Sequence, residues 1–276
     1  MFPCINFDDH FSDFITRYTA ANRQRYRNAD AVEADVPRIY LEFLNTPADW
    51  LGGLTPGSYF TQYEDPKDLV DWLQEYCGRG IPVPDLLLEQ IEAVGRPCEK
   101  RLLALLKDDN AGEEAKMTAI GLLRSMESTL PKMLYIDWQL QREEDDDLAD
   151  NGAESLAEMG RSVIQPVLEA VPKANDAGQQ ALLDVLMHFP SSEPVFRLAL
   201  RMFREHPEKR SLFASYLGKL EDPRALPDLL AAANDPALGY VDYVEVRAAI
   251  ERLGGEAPER SFDEDPEFWY MKSLDQ

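Results

Sequence analysis

The chain has 276 residues, of which 51 are acidic and 28 basic, giving a formal net charge of −23. A surface that negative repels phosphate backbones and anionic lipid, so neither nucleic acid nor membrane is expected as a partner, and cationic or neutral ones are favoured. With 45% hydrophobic residues the chain can bury a core, and with no apolar run of about 18 residues and no signal-peptide pattern in MFPCINFDDHFSDF a cytoplasmic protein is predicted.

In chain order, residues 7–28 (FDDHFSDFITRYTAANRQRYRN) read as a long amphipathic helix and 31–45 (AVEADVPRIYLEFLN) as a second. TPADWLGG and TPGSYFTQY follow as two short helical turns, each opened by Thr-Pro. From residue 60 the pattern repeats. EDPKDLVDWL at 64–73 and EDPRALPDLL at 221–230 each place an acidic cap before a proline, which suits the first helical position because its missing N–H costs nothing there. A second amphipathic segment ending in glycine follows each: PDLLLEQIEAVG at 84–95 and VEVRAAIERLGG at 244–255.

Equivalent apolar positions fall at Phe60, Ile91, Leu122, Leu156, Leu186, Leu217 and Ile250, in steps of 31, 31, 34, 30, 31 and 33 residues. They predict about six helical pairs. First helices are expected over roughly 65–78, 97–107, 130–142, 161–171, 193–205 and 223–233, and second helices over 84–94, 112–126, 148–158, 177–188, 209–220 and 241–253. No segment alternates convincingly with period 2, so essentially no sheet is expected. Residues 1–59 fall outside the repeat and are read as an N-terminal helical cap, 60–255 as the repeat array, and 256–276 as a C-terminal acidic and aromatic cap.

The last unit, LGKLEDPRALPDLLAAANDPALGYVDYVEVRAAIERLGG at 217–255, resembles HEAT-like repeats of the phycobilisome-lyase type, within the wider armadillo-like group. The resemblance implies an all-α HEAT-like α-α superhelix, a solenoid with helical caps, whose second helices line a concave partner surface. It also implies a non-catalytic protein–protein interaction scaffold without a cofactor. The alternative it carries is an enzyme of the HEAT-like lyase or DNA-base glycosylase kind, and the net charge speaks against DNA.

On the last second helix Tyr240, Tyr243, Arg247 and Glu251 share one face, while Val246, Ile250 and Leu253 take the core face. The four are the candidate partner-binding residues, expected to meet a basic or aromatic protein segment. An intrarepeat bond from Arg247 to an acidic residue such as Asp235 is the competing expectation, suggested by the family pattern. No catalytic residue is nominated. His10, His188 and His206 are scattered, the nucleotide-loop and nucleophile-elbow motifs are absent, and Cys4, Cys77 and Cys98 have neither disulfide nor zinc spacing, so reduced thiols are expected.

Asp147, Asn151, Gly152 and Glu158, in the acidic stretch that begins at Glu143, occupy positions 1, 5, 6 and 12 of a calcium loop, but Ala149 at position 3 offers no oxygen and a solvated acidic turn is preferred. Arg17, Arg23, Arg25 and Arg27, with Tyr18 and Tyr26, form the one basic concentration, read as an internal or intersubunit contact. Trp50 beside Gly52 and Gly53 is read as docking a short helix, and Phe268, Trp269 and Tyr270 as cap packing.

Overall fold

Short polar side chains open the helices where the sequence places them. Asp65 accepts the N–H groups of Lys67 and Asp68 ahead of Pro66, and Asp222 does the same for Arg224 ahead of a 3₁₀ turn at Pro223–Ala225. Asn6, Asn28, Asp146 and Asn175 cap four more, each satisfying N–H groups that have no partner within the helix. The computed structural model describes residues 2–143 and 145–274, and among the described residues there is no strand. The chain falls into two compact units, Met1–Pro131 and Lys132–Gln276.

The first unit contains α1 (Phe7–Ala21), α2 (Ala29–Glu33), α3 (Val36–Asn45), α4 (Pro56–Tyr59), α5 (Pro66–Gly78), α6 (Asp85–Val94), α7 (Arg96–Leu106) and α8 (Glu113–Ser125). Two expectations are corrected at its start. The helix expected over 7–28 ends at Ala21, where the Asn22 side chain and N–H both bond back to the Tyr18 carbonyl. The segment expected as one helix over 31–45 is split into α2 and α3, because Pro37 supplies no N–H and restricts the residue before it. Residues 2–6 run extended across α5. Phe2 stacks on Trp72, the Trp72 indole donates to the Pro3 carbonyl at 3.1 Å, and the Tyr76 hydroxyl bonds both the N–H and the carbonyl of Ile5 at 3.0 Å. With Phe7, Tyr59 and Phe60 these rings make an aromatic core.

The second unit contains α9 (Lys132–Leu140), α10 (Asp147–Glu158), α11 (Ile164–Ala170), α12 (Asp176–Leu186), α13 (Glu193–Glu205), α14 (Arg210–Leu220), α15 (Leu226–Ala233), α16 (Tyr240–Arg252) and α17 (Pro266–Leu274). All twelve expected repeat helices are present within a few residues of their predicted bounds, although 161–171 and 223–233 begin as 3₁₀ turns. The packing is less regular than the spacing: α9 meets α10, α11 and α12, whereas α12 meets the next pair through α13. Helices α14 and α16 pack closely, and a Cβ on Gly218 would stand 3.2 Å from the Cα of Ala249. Side chains tie neighbouring pairs together: Arg204 grips Asp228 bidentately at 2.7 and 2.8 Å, and Arg224 reaches Glu193 at 2.6 Å.

Candidate binding cleft

The tyrosines of the predicted stripe are turned inward. Tyr243 is only 6% exposed; its hydroxyl donates to the Pro258 carbonyl at 2.5 Å and its ring lies 4.9 Å from Phe262. Tyr240 is half-buried between Phe262 and Phe268, and its N–H donates to Asp265 at 2.7 Å. The cause is the return of the chain after Gly254 and Gly255, pinned by Arg260, which donates to the carbonyls of Ala233, Asp235 and Leu238 and lies over the Phe262 ring at 4.8 Å. Arg247 and Glu251 do remain exposed, paired with each other at 2.7 Å one turn apart. Arg247 is not bonded to Asp235, which instead holds Arg210 at 2.9 Å.

The second helices α10, α12 and α14 frame a cleft of about 860 Å³. Its floor is alanine: Ala153 and Ala157 from α10, Ala177 and Ala181 from α12. Small side chains let a ligand approach the helix backbones closely. Around that floor stand the carboxylates of Asp150, Glu154, Glu158 and Asp184 against two cations, Arg142 and Lys209, so the cleft is acidic.

The walls are fixed by bonds that leave few side chains free to rearrange. Arg142 is 6% exposed and reaches Asp150 at 2.5 Å and Gln139 at 2.9 Å, as a buried guanidinium must if its desolvation is to be offset. Gln139, fully buried, donates to the carbonyls of Tyr135 and Ala149. Asn175 caps α12 through the Gly178 N–H and donates to the Arg142 carbonyl at 2.8 Å, joining the end of α9 to the start of α12. On the opposite wall the Tyr216 hydroxyl donates to Asp184 at 2.8 Å. Burial, then the bond to this carboxylate, pushes the Tyr216 pKa up, so the phenol stays a donor. Lys209 donates to Gln180 at 2.7 Å, and His188 Nδ1 lies 3.0 Å from the Asp184 backbone carbonyl. Glu158 makes no bond of its own and is exposed.

The remaining features resolve separately. Asp147 to Glu158 form helix α10, in line with the second helix expected over 148–158, so the residues that matched a calcium loop are strung along a helix and the acidic turn is confined to the residues before Asp147; Glu144 lies outside the described residues. Among the described residues no group of three or more His, Cys, Asp or Glu is placed to hold a metal ion, and no helix is long and apolar enough to cross a membrane. Burial raises the pKa of all three thiols, Cys98 to about 11, which keeps them protonated and poorly nucleophilic. Arg17 bonds the Asp13 carbonyl and Arg25 the Tyr18 hydroxyl. The charge centre of that region is Arg38, a residue the sequence did not single out: it bonds Asp35, Tyr18 and Tyr26, and with Tyr26 it holds the Asp35 carboxyl well below the usual range. Trp50 stacks on His10 at 3.8 Å and packs on Phe7, docking its 3₁₀ turn onto α1. Phe268 packs on Tyr240, whereas Trp269 and Tyr270 are 51% and 66% exposed.

Compared with known protein families, curated proteins and solved structures, the chain matches none of them.

Proposed function

We propose that the helical pairs of each unit are HEAT-like repeats and that the second unit is a non-catalytic scaffold that takes a basic protein segment in the cleft between α10, α12 and α14. The observation that carries this reading is the cleft itself: carboxylates from α10 and α12, faced by Tyr216 of α14, above a floor of alanines. A lysine or arginine laid there would meet Glu158 and Asp184, while the alanines would accept an aromatic ring or the segment's backbone. The net charge of −23 favours cationic encounter, with an effect that salt screens over about 8 Å. The tyrosines first nominated on α16 are engaged within the chain, so the partner-binding role moves from that helix to the cleft.

Fluorescence anisotropy with short labelled peptides tests the reading. A peptide rich in Lys, Arg and Trp should bind in a saturable, salt-sensitive way, and one with Glu in place of the basic residues should not. Glu158→Lys should weaken binding by roughly tenfold, the loss of one or two well-placed charge contacts. Equal binding of both peptides, or an unaffected Glu158→Lys protein, would refute it.

A further inference from the structure

We propose that the first unit carries a separate anion site, a cavity of about 930 Å³ where α5 and α7 begin and the 126–130 turn closes over them, which binds the phosphate of a small phosphorylated organic molecule. Arg96, Lys100 and Arg101 line it; all three are exposed, and none makes a side-chain hydrogen bond or an ion pair among the described residues. Elsewhere in this chain Arg38, Arg79, Arg197, Arg204, Arg210 and Arg224 are each held by a carboxylate. Arg23, Arg25 and Arg27 likewise lack a carboxylate partner among the described residues, so what sets Arg96, Lys100 and Arg101 apart is that all three line one cavity.

Their position is also unfavourable for folding. Arg96 is the first residue of α7 and Lys100 lies one turn further on, so two cations sit at the positive end of the helix dipole and at i, i+4 from each other. Both arrangements cost stability. A bound dianion reverses both costs. The carboxylates that might have neutralised them are otherwise engaged: Asp65 caps α5, Glu99 accepts the Ser128 hydroxyl at 2.6 Å, and Asp71 holds Lys67 at 2.5 Å. Glu127 is the exception, an exposed carboxylate in the lining with no partner, and its charge opposes an anion. The rest of the wall is apolar, from Pro66, Pro97, Met126 and Leu130, the last 47% exposed. That combination fits a phosphate joined to a ring or hydrocarbon body better than a bare inorganic ion. The negative charge of the rest of the chain is screened over about 8 Å at physiological salt; within the lining Asp65, Glu99 and Glu127 keep their charge against Lys67, Arg96, Lys100 and Arg101, so an anion is held by direct contact with the three unpaired cations and not by a strongly positive cavity.

Calorimetric titration of the full chain with phenyl phosphate, inorganic phosphate and phenol tests the proposal. Phenyl phosphate should bind saturably and roughly tenfold more tightly than inorganic phosphate, with no measurable heat from phenol. Arg96→Ala combined with Lys100→Ala should weaken it at least about tenfold with helicity unchanged and thermal stability equal or higher, since repulsion at the helix start is relieved. Glu127→Gln should tighten binding, and Arg23→Ala, remote from the cavity lining, should leave it unchanged. No saturable binding below about 10 mM, or equal binding by the Arg96/Lys100 double variant, would overturn the assignment. Equal loss in Arg23→Ala would reduce it to general charge attraction and would overturn it too.

Discussion

Gly178 carries more structural consequence than its place in the sequence suggests. It is the third residue of α12, and a Cβ there would stand 1.9 Å from the Gln139 carbonyl oxygen, a backbone atom with no rotamer to move away. Gly178→Ala should therefore destabilise the protein by about 3 kcal/mol, toward the upper end for overpacking. Gly121 in the middle of α8 has no neighbouring atom within 4 Å of its Cβ position. Gly121→Ala should add roughly 0.5–1 kcal/mol by removing backbone freedom from the unfolded chain. Urea denaturation of the two variants checks the pair, and equal shifts of the same sign would contradict the packing at α9 and α12. A glycine near a helix start reads in sequence only as a poor helix former. The carbonyl that excludes a side chain there comes from a residue 39 positions earlier, and no local pattern announces it.

At the scale of elements, helix starts were legible because their cause is local. An Asp, Asn or Asp-Pro signal and the N–H groups it satisfies lie within four residues of one another, as at Asp65 and Asn175. The breaks at Asn22 and Pro37 were misread because amphipathic spacing continues across them. The exposure of α16 was misread for a different reason: what covers Tyr240 and Tyr243 is the chain some 20 residues further on. The signal available was the concentration of aromatic residues from Phe262 to Tyr270, more than an exposed tail needs. Phe262 is the keystone, buried against both tyrosines and under Arg260. Phe262→Ala should lower stability by about 3–5 kcal/mol, the range for deleting a buried phenyl ring, and should open the Arg260 peptide bond to trypsin. A variant with unchanged Tm and no new cleavage would mean that the C-terminal segment does not cover α16.

For the molecule as a whole, charge acts in two opposing ways. Partners hold the carboxyls of Asp35, Glu193, Asp222 and Asp235 below their ordinary values; the bonds to Arg38, Arg224, Arg224 and Arg210 are the respective main causes. A carboxyl whose folded pKa lies below its unfolded value stabilises the fold above about pH 4 and loses that contribution as the pH falls through the folded value. Self-repulsion from the −23 charge instead grows as the pH rises away from the pI of about 4.4. The Tm should therefore peak at mildly acidic pH, fall steeply below about pH 4 and decline gently toward pH 8. Calorimetry across that range checks it, and a Tm that climbs steadily to pH 8 would show that repulsion is not a governing cost.

The number and order of the helices from residue 65 to 253 were legible at this scale because each needs its own run of apolar positions at helical spacing. The cleft was legible only as a class of surface, one lined by second helices. Which helices carry it depends on where alanines from α10 and α12 come together, and on a C-terminal segment that occupies the face of α16. Hydrogen exchange with the Lys, Arg and Trp peptide bound locates the partner surface most directly. Slowed exchange should be confined to the helices around the cleft, 150–158, 177–188 and 209–216, and should be lost in Glu158→Lys; slowing over 240–251 instead, or no peptide-dependent slowing at all, would contradict the assignment.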